Sequence, residues 1–133
     1  MTLSIKVVAM ALAMRESNGI TDAINGDCIG ALQMKPIMVR ECNRIAGYEK
    51  YHDDDRYNVK LSLEMCELKL RHSLPPHWTI RSAALLWREG DAGMKKHAKD
   101  HEQYIRDVTN LYKEIHSGKM IPIWKKKDTM VYY

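Results

Sequence analysis

The chain has 133 residues, a length that fits one compact domain able to bury a hydrophobic core without disulfides or a structural metal. Hydrophobic residues make up 45% and charged residues 29%, which excludes a disordered chain, and no apolar run is long enough to span a bilayer. The net charge of +4 favours anionic partners only weakly, because 17 acidic residues offset 21 basic ones.

An amphipathic helix is predicted near the N-terminus, where apolar residues recur at helical spacing. The residues of this apolar stripe are Ile5, Val8, Ala9, Leu12 and Ala13. Asn18-Gly19 ends the helix, because these residue types readily adopt the backbone conformation that terminates one. Residues 20–33 contain the turn signal Asn25-Gly26-Asp27 between short apolar pieces, which predicts a loop or a small β-hairpin.

Four further helices are predicted, at about residues 36–45, 56–72, 78–87 and 100–116. The helix at 56–72 has two adjoining apolar stripes, so we expect it to be central and buried on two sides, with Asp53-Asp54-Asp55 capping its start. The fold class is therefore mainly α, with a small loop or β-hairpin region around residues 20–33. The predicted division is a domain of residues 1–118 and a tail of residues 119–133, packed on the domain or extending from it.

The cysteines indicate where the chain is made. They are three in number, Cys28, Cys42 and Cys66, and their spacing suggests neither a disulfide framework nor a zinc motif. The apolar N-terminal segment contains Lys6 and lacks the small-residue cleavage site of a signal peptide. We therefore expect synthesis in the reducing cytoplasm, with no visible export signal.

Glu16 is the residue whose position is most informative. It follows Leu12 by four positions and Ala13 by three, so it continues the apolar stripe of the first helix. Partial burial and the negative end of the helix dipole would both disfavour a charged carboxylate there. A protonated carboxyl group near neutral pH is what protonation of a glycosidic oxygen requires. The alternative is a fraying helix with Glu16 as a solvated acid, and on spacing alone that is the more common case.

A short motif follows Glu16-Ser17 after the predicted turn. Its residues are Gly30-Ala31-Leu32-Gln33-Met34-Lys35-Pro36. This arrangement resembles the catalytic domain of the soluble lytic transglycosylase and goose-type lysozyme group, in which Glu-Ser closes a helix and Gly-Leu-Met-Gln follows with a nearby Pro. The positions that match in register are Gly30, Gln33 and Pro36, with conservative replacements at Ala31 and Leu32.

Three later segments occur in the order of the same family and extend the resemblance over about residues 5–116. Residues 54–59 resemble the Asp-Pro-x-x-Asn-Ile start of the family's central helix, with Asp55 in place of Pro. Residues 84–90 resemble its Ala-x-x-Tyr-Asn-x-Gly segment, and residues 104–112 resemble its closing Tyr-Val-x-x-Val-x-x-x-Tyr helix. The resemblance implies a lysozyme-like α+β domain that cleaves the β-1,4 bond between N-acetylmuramic acid and N-acetylglucosamine in peptidoglycan.

The resemblance also implies roles for individual residues. Glu16 would be the general acid and base, and Ser17 would help to orient it by hydrogen bonding. The residues expected to bind the sugar chain are Ser17, Gly30, Gln33, Met34, Trp87, Arg88 and Tyr104. No metal or other cofactor is implied, the partner would be the peptidoglycan glycan strand, and we expect a monomer.

Trp87 and Arg88 depart from the family, which usually has Tyr, with its hydroxyl near the catalytic Glu, and then Asn. An indole N–H can donate a hydrogen bond but cannot accept one. An arginine beside Glu16 would stabilise the charged carboxylate and weaken it as an acid, so either Arg88 points away or the site is tuned differently. Trp87 is equally well explained as a core aromatic on a buried helix.

The mechanism depends on whether a second carboxylate works with Glu16. Lytic transglycosylases use one acid, which assists attack by the muramyl C6 hydroxyl and gives an anhydro sugar. Hydrolysis with inversion needs a second carboxylate about 6.5–9.5 Å away to activate water. Asp22 and Asp27 lie in the loop where goose-type lysozymes hold such acids, although turn formation is the favoured explanation for both.

Three other interpretations compete with the enzyme. The altered Trp87-Arg88 pair is compatible with a non-catalytic glycan-binding module on the same fold. Nucleic-acid binding, suggested by the net charge and by Lys125-Lys126-Lys127, ranks last because no recognition helix with clustered arginines is visible. His97 and His101 have the spacing of two metal ligands on a helix, but no third ligand is evident and a solvated face is favoured.

A wall-degrading enzyme acts in the periplasm or the cell wall, which raises the question of delivery. Two explanations stay open from the sequence. The chain is either a phage-encoded enzyme of lysis or of the virion, or a chain whose leader has been removed.

Overall fold

The structure is a computed structural model that describes residues 2–93 and 101–127. Within these residues it contains five α-helices, one two-stranded antiparallel sheet and a short 3-10 helix at Asp53–Tyr57. The helices are α1 (Ile5–Ser17), α2 (Pro36–Ala46), α3 (Val59–Ser73), α4 (Ile80–Gly93) and α5 (Glu102–His116), and the strands are β1 (Ile24–Asn25) and β2 (Cys28–Ile29). The prediction of a mainly α fold with a small β-hairpin within residues 20–33 is confirmed.

Helix α1 is the element that carries Glu16, and both of its ends are fixed by local hydrogen bonds. The Ser4 hydroxyl accepts from the backbone N–H of Val7 at 3.1 Å, which satisfies one of the free donors at the start of the helix. Asn18 adopts a left-handed conformation (φ 54°) and its N–H donates to the carbonyl of Met14 at 2.9 Å. The predicted apolar stripe is buried against α5 and α3, except that Ile5 is only partly buried.

Helix α3 lies where the sequence predicts the central helix, in contact with α1, α2, α4 and the 3-10 helix. It begins at Val59, three residues later than predicted, because Asn58 is the N-cap and its side-chain oxygen accepts from the N–H of Leu61 at 3.1 Å. The aspartates predicted as its cap belong to the preceding 3-10 helix instead, where the Asp55 carboxylate accepts from the N–H of His52 at 2.8 Å.

Lys69 joins three helices through a buried ammonium group. Its side chain is 3% exposed, and Nζ lies 2.9 Å from a carboxylate oxygen of Glu41 on α2 and 2.9 Å from one of Asp91 on α4. The hydrogen bonds from Arg44 and Lys69 lower the pKa of Glu41 from 4.5 to about 2. Asp91 follows Gly90, whose positive φ of 77° interrupts α4, so the helix continues beyond the predicted end only with a kink.

The β-hairpin is fixed to the helical body by Arg56, which is 6% exposed. Its Nη1 atom donates to the carbonyl oxygens of Asp27 and Met34, both at 2.9 Å, and its Nε atom donates to that of Asp53 at 2.8 Å. The carbonyl of Arg56 faces Gly30, where an added Cβ would lie 1.8 Å from it. The hairpin is therefore held against the 3-10 helix by the hydrogen bonds of Arg56 and by the close backbone contact between Gly30 and Arg56.

The described part of the tail, residues 119–127, pairs with the segment just after α1. The N–H of Lys125 donates to the carbonyl of Gly19 at 2.9 Å, and the N–H of Thr21 donates to the carbonyl of Lys125 at 2.9 Å. Trp124 packs against the core, whereas Ile121 and Ile123 are exposed. None of the described helices combines the length and the apolar character that crossing a membrane would require.

Candidate active site

Glu16 lies at the last turn of α1, on the edge of a groove of about 630 Å³. Its side chain is only 13% exposed, which follows from its place in the apolar stripe, one turn beyond the fully buried Leu12. One wall of the groove comes from the hairpin and the start of α2, and the other from α4. The remaining residues that line it are Arg15, Asn25, Cys28, Leu32, Gln33, Met34, Lys35, Ile37, Met38, Trp87, Arg88 and Glu89.

One oxygen of the Glu16 carboxyl group is fixed by a tyrosine of α5. The hydroxyl of Tyr104 donates to Glu16 Oε2 at 2.7 Å. Burial, and next the nearby Glu16 carboxylate, raise the pKa of the Tyr104 hydroxyl, so the phenol stays protonated and acts as a donor. The other oxygen, Oε1, makes no hydrogen bond to any residue that the structure describes. It is therefore available to a ligand in the groove.

Two arginines surround this tyrosine. The guanidinium carbons of Arg15 and Arg88 lie 5.1 and 5.0 Å from the centre of the Tyr104 ring, within the range of a cation–π interaction. Arg88 Nη1 is also 3.8 Å from Glu16 Oε2, which is an ion pair without a hydrogen bond. Of the two options that the sequence leaves for Arg88, the structure contradicts the one in which it points away from Glu16.

Five of the predicted site residues line the groove, namely Glu16, Gln33, Met34, Trp87 and Arg88. Gln33 adopts a positive φ of 50°, and its Nε2 atom donates to the carbonyls of Ala23 at 3.1 Å and Gly30 at 3.0 Å. Its amide oxygen accepts no hydrogen bond from the residues that the structure describes, so it is open to a ligand. Trp87 is partly exposed, so it is a groove residue and not a fully buried core aromatic.

Three predicted binding residues do not line the groove. The Ser17 hydroxyl donates to the carbonyl of Ala13 at 3.1 Å and accepts from the N–H of Gly19 at 3.2 Å, so it closes the end of α1 and forms no hydrogen bond with Glu16. Gly30 is buried against Arg56, and its missing side chain is required by protein packing, not by a ligand. Tyr104 is 4% exposed and acts beneath the groove through Glu16.

Asp22 and Asp27 also lie off the groove. The Asp22 carboxylate accepts from the backbone N–H of Lys127 at 2.7 Å, so this side chain helps to hold the tail against the domain. Asp27 is exposed in the hairpin turn, and its carbonyl is bound by Arg56. Both positions have the turn and loop roles that the sequence favours for them, and neither side chain faces Glu16 across the groove.

Glu89 is a groove carboxylate that the sequence interpretation missed. It lines the α4 wall together with Trp87 and Arg88, and its carboxylate contacts the imidazole of His101 at the start of α5. The pairing gives His101 a role other than metal binding, and His97 lies outside the described residues. No cluster of three or more metal-ligating side chains occurs within residues 2–93 and 101–127.

A second cavity, of about 460 Å³, shares the side chains of Ile37 and Met38 with the groove. Lys69 and Asp91 of the buried ion network also line it.

Comparisons of the chain with known protein families, with curated proteins and with solved structures find no match. The functional assignment therefore depends on the motifs around Glu16 and on the geometry of the groove.

Proposed function

We propose that the chain cleaves the β-1,4 bond between N-acetylmuramic acid and N-acetylglucosamine in peptidoglycan, with Glu16 as general acid and then general base. The observation that carries this proposal is the state of the Glu16 carboxyl group. It is largely buried at the edge of a groove, one oxygen is held by Tyr104, and the other is free of hydrogen bonds to the described residues. A carboxyl group oriented in this way can transfer a proton to and from a ligand.

The proposed reaction has two proton transfers. The protonated Glu16 donates to the glycosidic oxygen, so the bond from this oxygen to the muramyl C1 breaks and the leaving sugar departs as an alcohol. The resulting carboxylate then takes the proton of the muramyl C6 hydroxyl while that oxygen bonds to C1. This sequence gives a 1,6-anhydro end and regenerates the acid, so it needs no second carboxylate and no water.

Asp22 and Asp27 do not line the groove, so the single-acid route is favoured over hydrolysis assisted by either of them. Glu89 supports a second candidate, because it is another carboxylate on the groove and could activate a water molecule for hydrolysis. In that case the product would have an ordinary reducing end.

Product analysis separates these outcomes. We expect peptidoglycan sacculi incubated with the protein to release muropeptides whose muramyl ends are 18 Da lighter than reducing ends, because a bond to C6 replaces addition of water. Mass spectrometry of the soluble fraction measures this difference. Reducing ends would instead support hydrolysis with Glu89, and binding of glycan without release of either product would indicate a non-catalytic module.

Tyr104→Phe tests the hydrogen bond that orients Glu16. We expect kcat to fall about tenfold or more, because the hydrogen bond that orients Glu16 is lost, while KM stays nearly unchanged because Tyr104 lies beneath the groove. Steady-state rates of muropeptide release measure both constants.

Tyr112→Phe is the matched control for this variant. Tyr112 is a similarly buried tyrosine of α5 whose hydroxyl accepts from the N–H of Ser4 at 2.8 Å, away from the groove. Its loss should reduce stability by a comparable amount without changing kcat. Equal effects of the two substitutions on kcat would mean that Tyr104 has a structural role alone.

A further inference from the structure

We propose that Arg88 binds a carboxylate of the glycan substrate and thereby selects strands containing N-acetylmuramic acid over strands of N-acetylglucosamine alone. The inference rests on the proposed function, because it concerns the substrate of the same groove. N-acetylmuramic acid differs from N-acetylglucosamine by a lactyl group that ends in a carboxyl group. That group is a free carboxylate in glycan strands without peptides, and in strands with peptide stems the carboxylates are those of the stem.

Within residues 2–93 and 101–127, no residue accepts a hydrogen bond from Arg88. Its side chain is 43% exposed on the groove wall. The ion pair with Glu16, at 3.8 Å, is too long to be a hydrogen bond. A guanidinium presents five N–H donors in a planar fork that matches a carboxylate, so the groove wall carries an open site for this group.

Arg88 is nevertheless restrained by its contact with Tyr104. Its guanidinium carbon lies 5.0 Å from the centre of the Tyr104 ring, and contact with a ring face restrains the side chain without using its N–H groups. Less side-chain freedom is then lost when a ligand binds, which increases the affinity gained from each hydrogen bond.

The other arginine of the groove already has a close carboxylate partner. Arg15 lies against the same ring, but its Nε atom donates to the Asp107 carboxylate at 2.9 Å, so its positive charge is paired within the protein. Glu89, the acid next to Arg88 in sequence, is paired with His101 and does not form an ion pair with Arg88 among the described residues. Among the described residues, Arg88 is therefore the groove arginine whose ion pairing is limited to the 3.8 Å contact with Glu16.

The test is binding of three soluble tetrasaccharides to a protein that carries Glu16→Gln, so that the ligands stay intact. The ligands are chitotetraose, the alternating N-acetylglucosamine and N-acetylmuramic acid tetrasaccharide without peptides, and its peptide-bearing form. Isothermal titration calorimetry gives the affinities, and tryptophan fluorescence, to which Trp87 in the groove contributes, is an independent readout. The variants are Arg88→Met, Arg88→Lys and, as a control, Arg106→Met, because Arg106 is an exposed residue of α5 that does not line the groove.

We expect a carboxylate-bearing tetrasaccharide to bind more tightly than chitotetraose, and Arg88→Met to weaken it about tenfold or more without changing the affinity for chitotetraose. Arg88→Lys should restore part of the difference, because lysine keeps the charge but not the planar fork. Preference for the peptide-free ligand alone identifies the lactyl carboxylate, and the substrate must then come from a reaction that cleaves the amide bond to the peptide stem. Equal preference for the peptide-bearing ligand identifies a stem carboxylate.

Several results would overturn the inference. They are an equal loss of affinity for all three ligands in Arg88→Met, no loss for any of them, the same loss in Arg106→Met, or no binding of any glycan. Cleavage of sacculi by the unmodified protein is measured separately. The enzyme assignment can therefore stand while carboxylate recognition by Arg88 fails, and selective binding can be observed in a protein that does not cleave.

Discussion

Glycan cleavage by the Glu16→Gln variant is expected to be about 10²–10⁴-fold slower than by the unmodified chain, the usual contribution of a general acid–base group. Glutamine has the shape of glutamate but cannot give up or accept the proton that both steps require. The fold should be unaffected, because the amide oxygen can still accept from the Tyr104 hydroxyl. The rate of release of soluble muropeptides from sacculi measures the effect.

Glu114→Gln is the control for this result. Glu114 is an exposed residue of α5, outside the groove, and its substitution changes the net charge by the same amount. We expect it to keep full activity, which separates the loss of a catalytic proton from a change in binding to the charged wall polymer. Full activity of Glu16→Gln would remove Glu16 from the mechanism and leave Glu89 as the groove carboxylate to test.

Replacement of Arg56 by Met is expected to lower the free energy of unfolding by about 3–4 kcal/mol, a large effect for one substitution. Three backbone carbonyls, those of Asp27, Met34 and Asp53, would lose a charged donor at 2.8–2.9 Å. Each hydrogen bond with a charged group contributes about 1.5–3 kcal/mol, and the sum is smaller because water can reach the exposed Asp27 and Asp53. Urea denaturation followed by far-ultraviolet circular dichroism measures the difference.

Arg40→Met provides the comparison, because Arg40 is exposed and forms no hydrogen bond with the described residues. Its effect should stay within about 0.5 kcal/mol. Arg56→Met should also weaken glycan binding, because Arg56 holds the hairpin wall of the groove. A stability loss under 1 kcal/mol would show that the hairpin is held mainly by the backbone approach at Gly30.

The sequence predicts the elements of this fold well where the signal is local. Helical spacing locates α1 and α5, and Asn25-Gly26-Asp27 locates the hairpin turn. The start of α3 is missed because two caps compete within a few residues. Asn58 is the N-cap of the α-helix, and the aspartates before it belong to a separate 3-10 helix. Only the hydrogen bonds of the folded chain distinguish the two.

The site is predicted less completely, because its geometry depends on residues far apart in sequence. Spacing places Glu16 on the buried face of α1, but its hydrogen-bond partner, Tyr104, is 88 positions away in sequence. The sequence predicts Tyr104 as a sugar-binding residue, whereas in the structure it lies beneath the groove. The contact between Glu89 and His101 could not be predicted from residue spacing, because the two residues lie on different helices that meet only in the folded chain. Arg56 looks like an ordinary helix residue, and its burial depends on the position of the hairpin.

The pairing of residue 125 with the segment after α1 has a consequence for how the site assembles. The backbone four residues after Glu16 is held by a β-bridge between Ile20 and Lys125, which closes a loop that includes the four helices α2 to α5. Closure of so long a loop is entropically costly and slow compared with formation of a helix. After dilution from denaturant, we therefore expect helical circular dichroism to recover before the ability to bind glycan.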